Sequence, residues 1–118
     1  MRSSRVPTCW TGRAGAARQL AVPTFAIHCL DKPMQKDLRQ QTRSAHLAYL
    51  EKAIAQVVVA GPLLDEEGEP IGSMLLMHFP DYRAAVAFAA DDPYARAGLF
   101  ASVAITPWRQ VLPPPPES

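Results

Sequence analysis

The spacing of apolar residues changes period several times along the chain, and each change marks an element. From Thr24 to Leu30, Phe25, Ile27 and Cys29 alternate with Ala26, His28 and Leu30, the period-two pattern of a strand. Asp31-Lys32-Pro33 closes it, because Pro33 has no N–H to give a ladder and biases Lys32 to extended backbone. The polar stretch Gln35–Gln41 has room for one turn of helix. The period then becomes helical. His46, Leu47, Leu50, Ala53 and Ile54 fall on one stripe, with Arg43, Lys52 and Gln56 off it, which predicts a helix over Thr42–Ala55 capped by Thr42 or Ser44.

Val57-Val58-Val59 centres a second strand, Gln56–Ala60, ended by Gly61-Pro62. Asp65, Glu66, Glu67 and Glu69 would repel inside a packed element, so they read as a solvated turn. Gly72–Phe79 is a third strand with two largely apolar faces, Ser73/Leu75/Met77/Phe79 and Met74/Leu76/His78. Asp81 stands as the N-cap of a second helix, Tyr82–Ala90, with Tyr82, Ala85, Val86 and Ala89 as its stripe. A short turn follows from Pro93 to Gly98, and Leu99–Val111 is a last strand bent at Pro107.

The order is β-α-β-β-α-β, which predicts an α+β, ferredoxin-like domain: a four-stranded antiparallel sheet with two helices on one face. The third and fourth strands are apolar on both sides, so the uncovered face needs a partner. A second copy of the same sheet is the simplest cover, and the expectation is a homodimer packed sheet to sheet.

Composition narrows the picture. The 118 residues suffice for one domain, expected over 22–112, between a leader at 1–21 and a proline-rich tail at 113–118. The leader holds Arg2, Arg5, Arg13 and Arg18 and no acid. It lacks the apolar stretch of a secretory signal and reads as disordered, in preference to a transit peptide. Setting its four arginines aside turns the formal charge from +1 to about −3, which argues against a nucleic-acid surface. Nothing approaches the roughly 18 apolar residues of a membrane span. Cys9 and Cys29 make no disulfide framework and no zinc spacing with histidine. They read as free thiols in a reducing cytosol, hence a cytoplasmic protein.

The chemistry is carried by few residues. His46 puts an imidazole on the face its helix should bury. It is either a hydrogen-bonded core histidine or a site residue. Asp92 precedes Pro93 and is either the cap of the short turn or a site residue. If the two helices bring them together, Asp92 would orient one imidazole nitrogen and leave the other as general acid or base. Ser73, Arg43 and Tyr49 are candidates for the same pocket. Ser73 has a strand-start hydrogen bond as its other reading and Tyr49 aromatic packing; Arg43 pairs with an anionic ligand or with Asp37, or is a solvated helix residue. His28 and His78 have no evident third ligand, so no metal site is expected.

Several ordered segments resemble the YciI-like (YCII) family of the dimeric α+β barrel superfamily: Arg43-Ser44-Ala45-His46-Leu47-Ala48-Tyr49-Leu50, Ala60-Gly61-Pro62-Leu63, Gly72-Ser73, and Asp91-Asp92-Pro93-Tyr94 with Ala97-Gly98-Leu99. Pro107-Trp108 is similar to the family's Pro-aromatic ending. Ser44 stands where the family commonly has Pro, and the leader has no counterpart. The resemblance implies a dimer with a His–Asp pair at His46 and Asp92. By one branch it also implies a dehydrochlorinase that acts on chlorinated hydroxyquinols without a cofactor, and a lyase or isomerase step suits a single acid/base group. The alternative is a non-catalytic homodimer that binds a small ligand or a partner in the same pocket.

Overall fold

A computed structural model describes residues 22–116. The expectations for the leader and for Cys9 lie outside them. Residues 24–108 form one compact unit, and residues 109–116 carry no helix or strand. The elements are β1 (Thr24–Asp31), α1 (Lys36–Lys52), a 3-10 turn (Ile54–Gln56), β2 (Val57–Leu64), β3 (Pro70–His78), α2 (Tyr82–Asp91), α3 (Pro93–Arg96) and β4 (Phe100–Trp108). The sheet order is β2-β3-β1-β4, and every pairing is antiparallel. This is the ferredoxin-like arrangement, α+β, that the element order implies.

Directly opposed residues of an antiparallel ladder point to the same side. Phe25, Ile27 and Cys29 oppose Met77, Leu75 and Ser73 and share the helix-facing side. All six are buried, and Leu50, Ala85 and Ala89 close over them from α1 and α2. The two alanines let α2 approach the sheet closely. Tyr82 and Val86, expected on its stripe, are exposed instead, and Phe88 takes the half-buried place. The cap of α2 is as the sequence reads: Asp81 accepts a bond from the Ala84 N–H at 2.8 Å.

Helix α1 departs most from expectation. It begins at Lys36, six residues before Thr42, and neither Thr42 nor Ser44 caps it. Gln35 is the N-cap residue, with no side-chain bond. Its buried residues are Arg39, His46 and Leu50, while Leu47 and Ile54 are exposed. The buried stripe therefore runs through a charged residue, which hides its period. Strand β2 also continues through Gly61-Pro62 to Leu64. It is an edge strand, where the N–H that proline lacks has no ladder partner to lose. Pro107 stands on the other edge strand.

Gly72 is needed at its place on β3. A Cβ there would come within 2.3 Å of the Cys29 carbonyl oxygen, so only glycine lets the central strands approach.

Candidate active site

Four polar side chains are buried among the described residues: Arg39, His46, Ser73 and Asp92. They gather in one place, around the ring of Tyr94. Buried polar groups need partners, and these partners are each other.

Asp92 lies between α2 and α3. Pro93 follows it as the first residue of α3, and the Asp92 Oδ1 accepts the Tyr94 N–H at 2.8 Å, the bond of an N-cap. The same carboxylate faces His46 Nδ1, at 2.9 Å from Oδ1 and 3.0 Å from Oδ2. The two readings of Asp92 are therefore compatible, because a carboxylate has lone pairs enough for both. The carboxylate can only accept, so Nδ1 carries the hydrogen and donates. Nε2 is then the nitrogen left for the cavity. His46 stands near the middle of α1, later in its helix than a start at Thr42 implies.

The end of α3 fixes Tyr94. Gly98 adopts φ +80°, its N–H bonds to the Ala95 carbonyl, and the Leu99 N–H bonds back to the Tyr94 carbonyl at 3.1 Å. This is a Schellman closure, which glycine admits without strain. The Tyr94 ring stacks on the His46 imidazole, with centroids 4.1 Å apart and 22° between the planes. The Arg39 guanidinium packs on the same ring, 4.5 Å from its centroid.

Arg39 is held from three directions. Its Nε donates to Asp31 Oδ2 at 2.7 Å, and its Nη2 donates to Asp31 Oδ1 and to Ser73 Oγ, both at 3.0 Å. Burial pulls the guanidinium's pKa down, but the bonds to Asp31 outweigh it and the net shift is upward. Burial pushes the Tyr94 phenol up against the opposing pull of Arg39 and Arg43. The Cys29 thiol is pushed up to about 12, first by burial and then by the charge of Asp92. It stays protonated at neutral pH and is a poor nucleophile.

A cavity of about 390 Å³ opens between α1 and the β2–β3 hairpin. His46, Arg39, Arg43, Ser73 and Tyr94 supply its polar lining, and Leu47, Leu50, Pro62 and Leu75 much of its apolar lining. Of the sequence candidates, His46, Ser73 and Arg43 line it, and Asp92 stands behind His46. The Ser73 hydroxyl is already engaged by Arg39. The expected pair of Arg43 with Asp37 is not among the ion pairs of the described residues.

Tyr49 is a correction, since it does not line the cavity. Its hydroxyl donates to the Phe88 carbonyl at 2.8 Å and its ring stacks on Phe88 at 4.6 Å, so it pins α1 to α2. Burial, then the charges of Asp91 and Asp92, push its phenol from 10.0 to about 12. A raised folded pKa means that the stabilisation is complete below about pH 10 and is lost as pH rises through about 12. Urea midpoints of wild type should therefore fall over that window. Tyr49→Phe should be less stable below it and show a flatter profile within it.

Arg39 and Tyr94 were not singled out by sequence reasoning. The signal available for Tyr94 was its place two residues after a capping Asp. For Arg39 it was the spacing of seven residues to His46, two helical turns on the same face.

The model of the YCII-related domain matches residues 24–109. A protein of Haemophilus influenzae without a described activity is 33% identical over 96 residues, covering 75% of this chain and 98% of the relative. Protein YciI of Escherichia coli is 30% identical, with the same shares of each chain covered. Among solved structures, the 5-chloro-2-hydroxyhydroquinone dehydrochlorinase TftG of Burkholderia phenoliruptrix, in complex with 2,5-dihydroxybenzoquinone, superposes with a TM-score of 0.70 at 32% identity. That match covers 75% of this chain and 95% of TftG.

Proposed function

Because the chain belongs to the YCII-related family, we propose that it is a small enzyme in which His46 moves protons, held by Asp92, on a hydroxylated and chlorinated aromatic substrate. The observation that carries the reading is the buried His46–Asp92 bond at the wall of a cavity of about 390 Å³, within the range of small-molecule sites. The similarity to TftG supports a dehydrochlorinase-like step.

The step balances with proton transfers alone. A chlorinated hydroxyquinol loses two hydroxyl protons; one goes to the ring carbon that bears chlorine, and the other is released. Chloride departs with the carbon–chlorine electron pair, and two ring hydroxyls become the carbonyls of a quinone. His46 Nε2 takes a hydroxyl proton in the first half and can return a proton to carbon. Asp92 stabilises the imidazolium formed between the two halves. The test is release of chloride from a panel of chlorinated hydroxyquinols by the wild-type protein. Turnover of any member supports the reading. Binding without turnover across the panel favours the ligand-binding alternative.

The same reading includes a homodimer. Ala26, His28, Met74, Leu76, Val59 and Ala104 share the sheet face away from the helices, by register, and no element of the unit covers it. Sedimentation equilibrium should give twice the mass of one chain, and Leu76→Glu, with a charge at the centre of that face, should give a monomer. A monomeric wild type would remove the dimer from the account and leave the His46 chemistry standing.

A further inference from the structure

Helix α1 presents Lys36, Arg39, Arg43 and His46 to the cavity. They follow one another at intervals of three or four residues and so stand along one helix face. Like charges at that spacing repel unless each is met by an anion. Two of the three cations are met: Lys36 bonds Glu69 at 3.0 Å and Arg39 is clamped by Asp31, while the neutral His46 ring faces Asp92. Arg43, between Arg39 and His46 along the cavity wall, has no ion-pair partner among the described residues.

Resting on the reading of this cavity as a substrate site, we infer that Arg43 selects a ligand bearing a negative charge, such as an ionised phenol or a carboxylate on an aromatic ring. Arg39 is less suited to this part, because Asp31 already balances its charge and its Nε and Nη2 are given to Asp31 and Ser73. Arg43 is one turn before His46, so an anionic oxygen on its guanidinium sets a ring beside the imidazole. Leu47, Leu50 and Pro62 offer that ring an apolar wall. The Arg43 charge, with that of Arg39, opposes the burial that raises the Tyr94 phenol. Arg43 is thus a specificity-determining residue, and the proton transfer remains with His46.

The test compares 4-hydroxybenzoate with 4-hydroxybenzamide, which match in shape and differ in charge. Binding is followed by the amide resonances of cavity residues in the wild type and in Arg43→Gln. Arg43 is exposed on a helix, so this variant should keep the fold. The wild type should bind the anion more tightly by about tenfold or more, the range of a charge-assisted hydrogen bond. Arg43→Gln should erase the difference while the amide binds as before, and added salt should narrow the gap in wild type only. Equal affinity for the two probes in wild type, a preference that survives Arg43→Gln, or no binding of either at millimolar concentration would each overturn the inference. None of these results touches turnover by His46, which the chloride assay reads separately.

Discussion

His46→Ala should lower chloride release by about 10²–10⁴-fold, the usual worth of a positioned general acid or base. The loss should fall on kcat, because the imidazole acts on protons in flight rather than on the resting ligand. The variant should also be less stable by about 1–3 kcal/mol, since it leaves the buried Asp92 with only the Tyr94 N–H for company. Circular dichroism and a melting curve separate the two effects. A folded His46→Ala with wild-type turnover would remove His46 from the chemistry. Asp92→Asn should fall between wild type and His46→Ala: asparagine still caps α3, but it no longer balances an imidazolium.

Asp31→Ala should be the most destabilising single change at the site, by about 3–5 kcal/mol, because it strands a buried guanidinium. The melting temperature should drop by roughly ten degrees or more. Arg39→Met should cost somewhat less, because the thioether fills the slot, although it leaves the Asp31 carboxylate, as shielded as the guanidinium, without its partner. The double variant should cost less than the two single changes together, because it leaves no buried charge without a partner. The cycle's coupling energy then reports the pair itself, and strict additivity would show that the two groups do not depend on each other. Both variants loosen Ser73 and Tyr94, so both should also blunt turnover, through the position of the His46 ring.

These two results come from different depths of sequence reading. The His46–Asp92 pair was legible because each residue broke a local pattern: an imidazole on a buried stripe, and an Asp-Pro at a helix junction. Whether they touch depended on how α1 lies against α3, which no local pattern encodes. The β-α-β-β-α-β order was legible because strand and helix periods differ and Asp81, Asp92 and Gly98 punctuate them. The start of α1 was hidden because Arg39, a charged residue, occupies a buried position on its stripe. Hydrophobic periodicity reads such a residue as solvent-facing, so the helix was expected to start six residues late, at Thr42. Asp31, taken for the end of a strand, was the partner that makes the burial possible. Gly61-Pro62 looked like a break because sequence alone did not place β2 at a sheet edge, where proline is tolerated. Tyr49 lies three residues after His46 and was drawn to the cavity by that spacing. The Phe88 carbonyl turned it toward α2 instead.

The proton arithmetic of the site comes down to which nitrogen of His46 carries hydrogen. Nitrogen-15 spectra of histidine-labelled protein, with His46 assigned by its loss in His46→Ala, read this directly. The account requires a neutral ring protonated on Nδ1, toward Asp92, with Nε2 bare and able to take a proton from a ligand in the cavity. A ring found with hydrogen on Nε2 and a bare Nδ1 would contradict it.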